Sequence, residues 1–317
     1  MTAPRDAYRA ALAELAARDE RIWCCDSDMG GLEDGFGRQF PRRYVDLGIA
    51  EANMMSVAAG LAASGKIPFV NTMASFACLR AGEQVKIDIA YNALPVHIAA
   101  SHAGLSGGHF GPTHQSLEDI AVMRALPNMT VIVPSDAAMI AQAVAVQAGL
   151  PGPSYLRLGR KATPDVHPPG ARFVLGRAAR LRAGTDVTLV ACGPHPVLAA
   201  LAAHEQLVAS GVSARVLDVS TLKPFDVESI VDASIETGGL VTVEEHSVIG
   251  GLGSAVAEVL AEHAPARLRR IGMPDRFCAQ VGTPEHLLDT YGITGKAVAE
   301  AALELLADRP SEELIPS

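Results

Sequence analysis

One carboxylate and three imidazoles are the side chains in this sequence best suited to chemistry. Glu51 opens an otherwise apolar, Ala- and Met-rich stretch that runs to Ser64. A carboxylate at a helix N-terminus is favoured by the helix dipole, so the placement alone requires no function. The segment His102-Ala-Gly-Leu-Ser-Gly-Gly-His109-Phe-Gly-Pro-Thr-His114-Gln115 is different. It bends through glycines and a Gly-Pro step while presenting three groups that titrate near neutral pH, which suits proton transfer or hydrogen bonding to a polar substrate. Solvated loop histidines are the plain alternative. Zinc-hydrolase, P-loop and dinucleotide motifs are missing, and Gly250-Gly251-Leu252-Gly253 starts a helix with the wrong spacing for them. That turn fits either a phosphate or tight packing.

These residues need elements to hold them, and the sequence supplies short apolar runs alternating with helical periodicity. Tyr8, Ala11, Leu12 and Leu15 recur at helical spacing, and Ile22 to Cys25 reads as a buried strand ending in the loop Asp26-Ser-Asp28-Met-Gly-Gly31. Tyr44 to Asp46, a helix from Glu51, strand Pro68 to Asn71, helix Ala74 to Ala93 and strand Val96 to Ser101 follow. The histidine loop leaves the carboxyl end of that last strand, the edge where open α/β sheets bind ligands. Thr130 to Val133, helix Ala137 to Ala148 and Tyr155 to Leu158 complete the first half. A proline-rich, aperiodic linker, Gly159 to Gly170, precedes a second βα series that ends with helix Lys296 to Leu306 and a tail from Ala307 carrying no fold signal. The expected fold is α/β, with two doubly wound, mainly parallel-sheet domains at 1–170 and 171–317.

At 317 residues the chain exceeds one usual hydrophobic core, which agrees with two domains. Its net charge of -9, with no basic run, gives no support for nucleic-acid or membrane capture, so an anionic ligand must be held by a few placed groups. Five cysteines without C-x-x-C spacing suit a reducing cytoplasm. The N-terminus lacks the apolar core of a signal peptide, and Ala137 to Leu150 is too short for a membrane span.

At the residues named first, the sequence resembles the thiamine-diphosphate enzymes of the transketolase group, specifically their C-terminal half. The carriers are Asp46-Leu-Gly-Ile-Ala-Glu51-Ala-Asn-Met54, Phe69-Val-Asn-Thr-Met-Ala-Ser-Phe76 and Ser101-His102 ahead of Gly111-Pro-Thr-His114-Gln115. Asn128-Met-Thr-Val-Ile-Val-Pro-Ser-Asp136 and Tyr155-Leu-Arg-Leu-Gly-Arg160 continue the match in register. Asp218 to Pro224 and Val243 to Gly253 carry a looser likeness to the family's C-terminal domain. The resemblance implies a pyrimidine-binding domain followed by a transketolase C-terminal-like domain. It implies that Glu51 hydrogen-bonds and activates the cofactor's aminopyrimidine, with Phe76 against the ring, Met73 where many relatives carry another aromatic, and Asp28 in the cofactor-binding set. By the same resemblance His114 acts in proton transfer or hydrogen bonding, and His102 binds the far end of the sugar with Arg5 and Arg160.

Two departures leave donor and acceptor open: Leu32 stands where phosphate-binding relatives have serine, and His109-Phe110 replace an acidic pair. The G-D-G stretch and downstream asparagines that hold the diphosphate and its Mg²⁺ or Ca²⁺ have no counterpart, Glu33-Asp34-Gly35 being the nearest string. The implied protein is therefore the C-terminal subunit of a split transketolase, moving a two-carbon ketol unit from a ketose or ketose phosphate to an aldehyde. It would assemble as an α2β2 heterotetramer with an N-terminal, diphosphate-binding subunit that holds the metal. The β subunit of a 2-oxoacid dehydrogenase, a deoxyxylulose-phosphate-synthase-like enzyme and a non-catalytic assembly or regulatory subunit of the same fold are the alternatives. No ligand motif marks the second half, which reads as architectural.

Overall fold

The computed structural model describes residues 1–308, so the tail expected from Ala307 lies, from residue 309 onward, outside the described residues. The apolar runs become strands β1 (Ile22–Asp26), β2 (Tyr44–Asp46), β3 (Ile67–Met73), β4 (His97–Ser101), β5 (Thr130–Ile132) and β6 (Ser154–Arg157). They pair in parallel in the order β2-β1-β3-β4-β6-β5. Every residue of β4 is buried, because a parallel sheet is covered by helices on both faces.

Three strands of the second half follow in sequence: β7 (Ala179–Arg182), β8 (Val187–Ala191) and β9 (Ala214–Asp218). The next, β10 (Thr221–Lys223), leaves its own half and pairs antiparallel with β5 at the edge of the first sheet. With β11 (Leu240–Ser247) and β12 (Leu268–Met273) the second sheet runs β12-β11-β8-β9-β7, antiparallel only at β7. The protein is thus α/β, with two mainly parallel sheets flanked by helices. Val131, Val133 and Tyr155 of the first half share a core with Val190, Leu217 and Leu240 of the second, so the halves are joined by apolar burial as well as by β10.

Two local results depart from the periodicity. The continuous helix expected over Ala74 to Ala93 is broken into wide turns at Phe76–Arg80 and Val85–Ala90 around a short helical piece, Gly82–Gln84. Gly82 weakens the run at its middle, and wide turns of this kind re-aim side chains at functional sites. At Gly250-Gly251-Leu252-Gly253 the start of helix Leu252–Glu262 is taken by a carboxylate of the chain itself. Leu252 N and Gly253 N donate to Glu244 at 2.7 and 2.8 Å, and a Cβ on Gly251 would overlap that carboxylate. Burial pushes Glu244 up to about 7 against the pull of these N–H groups. Packing, not phosphate binding, explains the glycines. Among the described residues no helix is long and apolar enough to cross a membrane, and the five cysteines are free and buried.

Candidate active site

Parallel strands deliver the candidate residues to one edge of the first sheet. Asp28 follows β1, Glu51 opens helix Glu51–Ala63 after β2, Met73 ends β3, His102 follows β4 and Arg160 follows β6. This is the carboxyl edge, where strand-to-helix loops converge. Arg5, in the first turn of helix Pro4–Arg18, reaches the same edge and lines a cavity of about 30 Å³ with His102, Tyr8, Leu32 and Thr72.

Glu51 is 2% exposed, and its two carboxylate oxygens accept hydrogen bonds from Arg80 Nη1 at 2.9 and 3.0 Å. The same guanidinium lies 4.0 Å above the centroid of the Phe76 ring. The wide turn Phe76–Arg80 places both residues beside the helix start. Arg80 carries no signal in the sequence, since its partner lies 29 residues away and no motif joins them. A flat, nitrogen-bearing group therefore already rests between a buried carboxylate and an aromatic face, and an aminopyrimidine is likewise flat and can share a proton with the carboxylate through a ring nitrogen. The residues fit that half of thiamine diphosphate. Among the described residues no group of three or more His, Cys, Asp or Glu side chains could hold a metal ion.

Aromatic contacts link this corner to the histidine loop. Phe76 meets His114 edge to face at 5.1 Å, and His114 stacks on Phe110 at 5.1 Å and 26°. Phe110 in turn meets His102 at 5.9 Å and lies under the Arg160 guanidinium at 5.4 Å. Phe110, which the sequence marks only as a departure from a pattern, is the hub between the two ends of the site. His109 points to solvent, while Asp28 is exposed and makes no side-chain hydrogen bond or ion pair among the described residues. Met73 is half-buried at the end of β3.

The two inward imidazoles differ. His102 Nδ1 lies 2.8 Å from Ser101 Oγ, and His102 has φ of 58°, a left-handed conformation that costs a non-glycine residue on the order of 1 kcal/mol. Burial, with Arg160 and Arg5 adding to it, pulls His102 down to about 4, so it is neutral at pH 7. His114 is half-buried with Nδ1 2.9 Å from Thr113 Oγ1, which leaves Nε2 for another partner. In the cavity beside His102, Arg5 Nε, Tyr8 Oη and Thr72 Oγ1 are buried with no hydrogen-bond partner, Arg5 Nε lying 3.7 Å from Asp6 Oδ1. Leaving such a group unmet costs about 1–3 kcal/mol, so this end suits an oxygen-rich ligand or water. Phe76, Arg80 and Thr113 also line a cleft of about 600 Å³ whose far wall, with Arg276 and Phe277, belongs to the second half. Gly104-Leu-Ser106-Gly-Gly108 spells a hydrolase nucleophile motif, but Ser106 is buried and donates to the Ala103 carbonyl at 2.5 Å, which is no activated nucleophile.

Comparison with known proteins agrees with the fold. Residues 1–165 match the model of the transketolase pyrimidine binding domain, and residues 176–298 match that of the transketolase C-terminal domain. The chain belongs to the transketolase family. It is 43% identical to the 6-deoxy-6-sulfo-D-fructose transketolase subunit SqwH of Clostridium sp. (strain MSTE9), covering 95% of this chain and 94% of that one. It is 41% identical to an apulose-4-phosphate transketolase subunit of Phocaeicola vulgatus, covering 96% and 98%. Among solved structures it resembles a split gene transketolase described as an inactive β4 tetramer, at 46% identity and a TM-score of 0.91, covering 97% and 99%.

Proposed function

We propose that this chain is the pyrimidine-binding subunit of a split transketolase, transferring a two-carbon ketol unit from a ketose to an aldehyde once a diphosphate-binding chain completes the site. The observation that carries this reading is the buried Glu51 carboxylate beside the Phe76 ring at the carboxyl edge of the sheet. Two relatives named as transketolase subunits, matched over nearly their full lengths, support it.

Thiamine diphosphate, when bound, supplies the nucleophilic carbon and the electron sink for cleaving a carbon–carbon bond beside a carbonyl. With the cofactor bound in place of the Arg80 contact, Glu51 would share a proton with the pyrimidine nitrogen, and Phe76 and Met73 would provide the flat and the softer walls. Asp28 stands on the β1 loop at the rim of the same edge. His114, with Nδ1 engaged by Thr113, exchanges a proton or hydrogen bond with a substrate oxygen through Nε2. His102, held neutral, donates or accepts a hydrogen bond without adding charge. Arg5 and Arg160 then supply the positive charge for an anionic sugar end, whether phosphate or another oxyanion. Leu32 removes one hydroxyl from that end, so the anion is held mainly by the arginines. The partner chain carries the ligands for Mg²⁺ or Ca²⁺, in an assembly of two copies of each chain, and the two units of this chain divide near residue 170.

Glu51→Gln tests the reading. In the assembled complex kcat should fall at least 100-fold, roughly the lower bound of a general acid–base contribution. Turnover within a few-fold of wild type would remove Glu51 from the mechanism.

A further inference from the structure

The histidine loop is not held by the first half alone. Gly104 and Ser116 close its base in a small antiparallel bridge, with Gly104 N donating to Ser116 O at 2.8 Å. That base is gripped from β11. Glu245 is 5% exposed, and its Oε1 accepts the N–H of Leu105 at 2.6 Å across 140 residues of sequence. Its Oε2 lies 3.2 Å from His195 Nδ1, at the start of helix Pro194–Ala209. Its own carbonyl receives Arg157 Nη2 at 3.0 Å, and the same guanidinium group donates to Ser116 O at 3.2 Å. Gly104 has φ of 62°, and a Cβ there would stand 2.5 Å from Glu245 Oε1, so the carboxylate fits only because this residue is glycine. Further along the loop, Gly282 N donates to Gly108 O at 3.3 Å and Gln115 Nε2 to Gln280 O at 3.3 Å.

We propose that Glu245 is a positioning residue of the active centre: its carboxylate fixes the base of the loop and so sets where His102 and His114 stand against the substrate. His102 is two residues before Gly104, and His114 two residues before Ser116, so both imidazoles hang directly from the gripped bridge. The second half is then part of the catalytic apparatus, acting through the backbone of the histidine loop. The catalytic consequence rests on the transketolase reading; the grip on the loop does not.

The experiment separates the two. Amide hydrogen exchange of the full chain is compared for wild type, Glu245→Ala and Glu245→Gln, the glutamine keeping an acceptor oxygen for Leu105 N–H. Exchange in the segment 103–117 should rise at least tenfold in Glu245→Ala and stay within about threefold of wild type in Glu245→Gln. The three proteins are then assembled with the diphosphate-binding chain and assayed with thiamine diphosphate, Mg²⁺ and a ketose donor. Glu245→Ala should lose about tenfold or more in kcat with the KM for thiamine diphosphate unchanged, and Glu245→Gln should restore most of it. Unchanged loop exchange in Glu245→Ala, or a loosened loop with full turnover, overturns the proposal. If wild-type complex shows no ketol transfer, the transketolase reading falls, and the exchange comparison by itself decides the grip.

Discussion

Glu51 illustrates how one residue type serves opposite demands. A buried carboxylate is costly unless paired, and here Arg80 meets both oxygens while remaining half exposed. A ligand that replaces Arg80 must share a proton with this carboxylate, either carrying an N–H or accepting a proton that Glu51 holds, which restricts what the corner accepts. Glu51, His102 and His114 stand out in the sequence as candidates, and their proposed roles come from the family resemblance. Arg80 and Glu245 do not stand out, because each acts through a partner 29 or 140 residues away that only the fold supplies. The arginine at the other end gives a prediction at this scale. Arg160→Ala should raise KM about tenfold for ketoses ending in phosphate or another oxyanion and leave neutral ketoses nearly unaffected. Steady-state kinetics on matched substrate pairs checks it, and equal effects on both would remove the anion-binding role.

Elements are legible where they announce themselves as apolar runs and obscure where tertiary contact makes them. β4 and β8 are buried throughout and β3 everywhere but at Met73, and they stand out in the sequence as apolar runs. β10, three residues long, is a strand only because it finds the edge of β5, and β7 alternates between exposed and half-buried residues with no apolar run. The proline-rich linker is more than a spacer, since it also carries a tie. His167 Nδ1 lies 2.8 Å from Asp136 Oδ2, at the start of helix Ala137–Ala148, and its Nε2 lies 3.3 Å from Asp218 Oδ2, at the end of β9. Burial alone would depress this imidazole, but the two carboxylates raise it to about 9 from 6.5. A histidine raised in the folded state contributes stability that is complete below pH 6.5 and lost as pH rises through about 9. Wild-type unfolding free energy should therefore fall by on the order of 1–3 kcal/mol across that window, and His167→Gln should flatten the fall. Denaturant titrations at several pH values measure this, and parallel slopes for the two proteins would contradict it.

At the scale of the molecule, the two sheets share one core and jointly frame the cleft of about 600 Å³, so the site belongs to the whole chain rather than to its first half. The sequence indicates the alternating βα order and the edge where ligands meet it. It cannot indicate that Glu245 and the segment around Gly282 reach across to the histidine loop, because neither carries a motif and both act largely on backbone. On the proposed function the active centre is shared: this chain would offer the pyrimidine corner and the sugar end, and another chain the diphosphate and metal sites. Isolation from native cells under gentle conditions, followed by assay of each separated chain and of the recombined pair with thiamine diphosphate, Mg²⁺ and a ketose panel, tests that claim most directly. The prediction is a stoichiometric companion carrying the G-D-G stretch, with ketol transfer only when both chains are present. A chain that stays alone, binds no cofactor and gains no activity with any companion would contradict it.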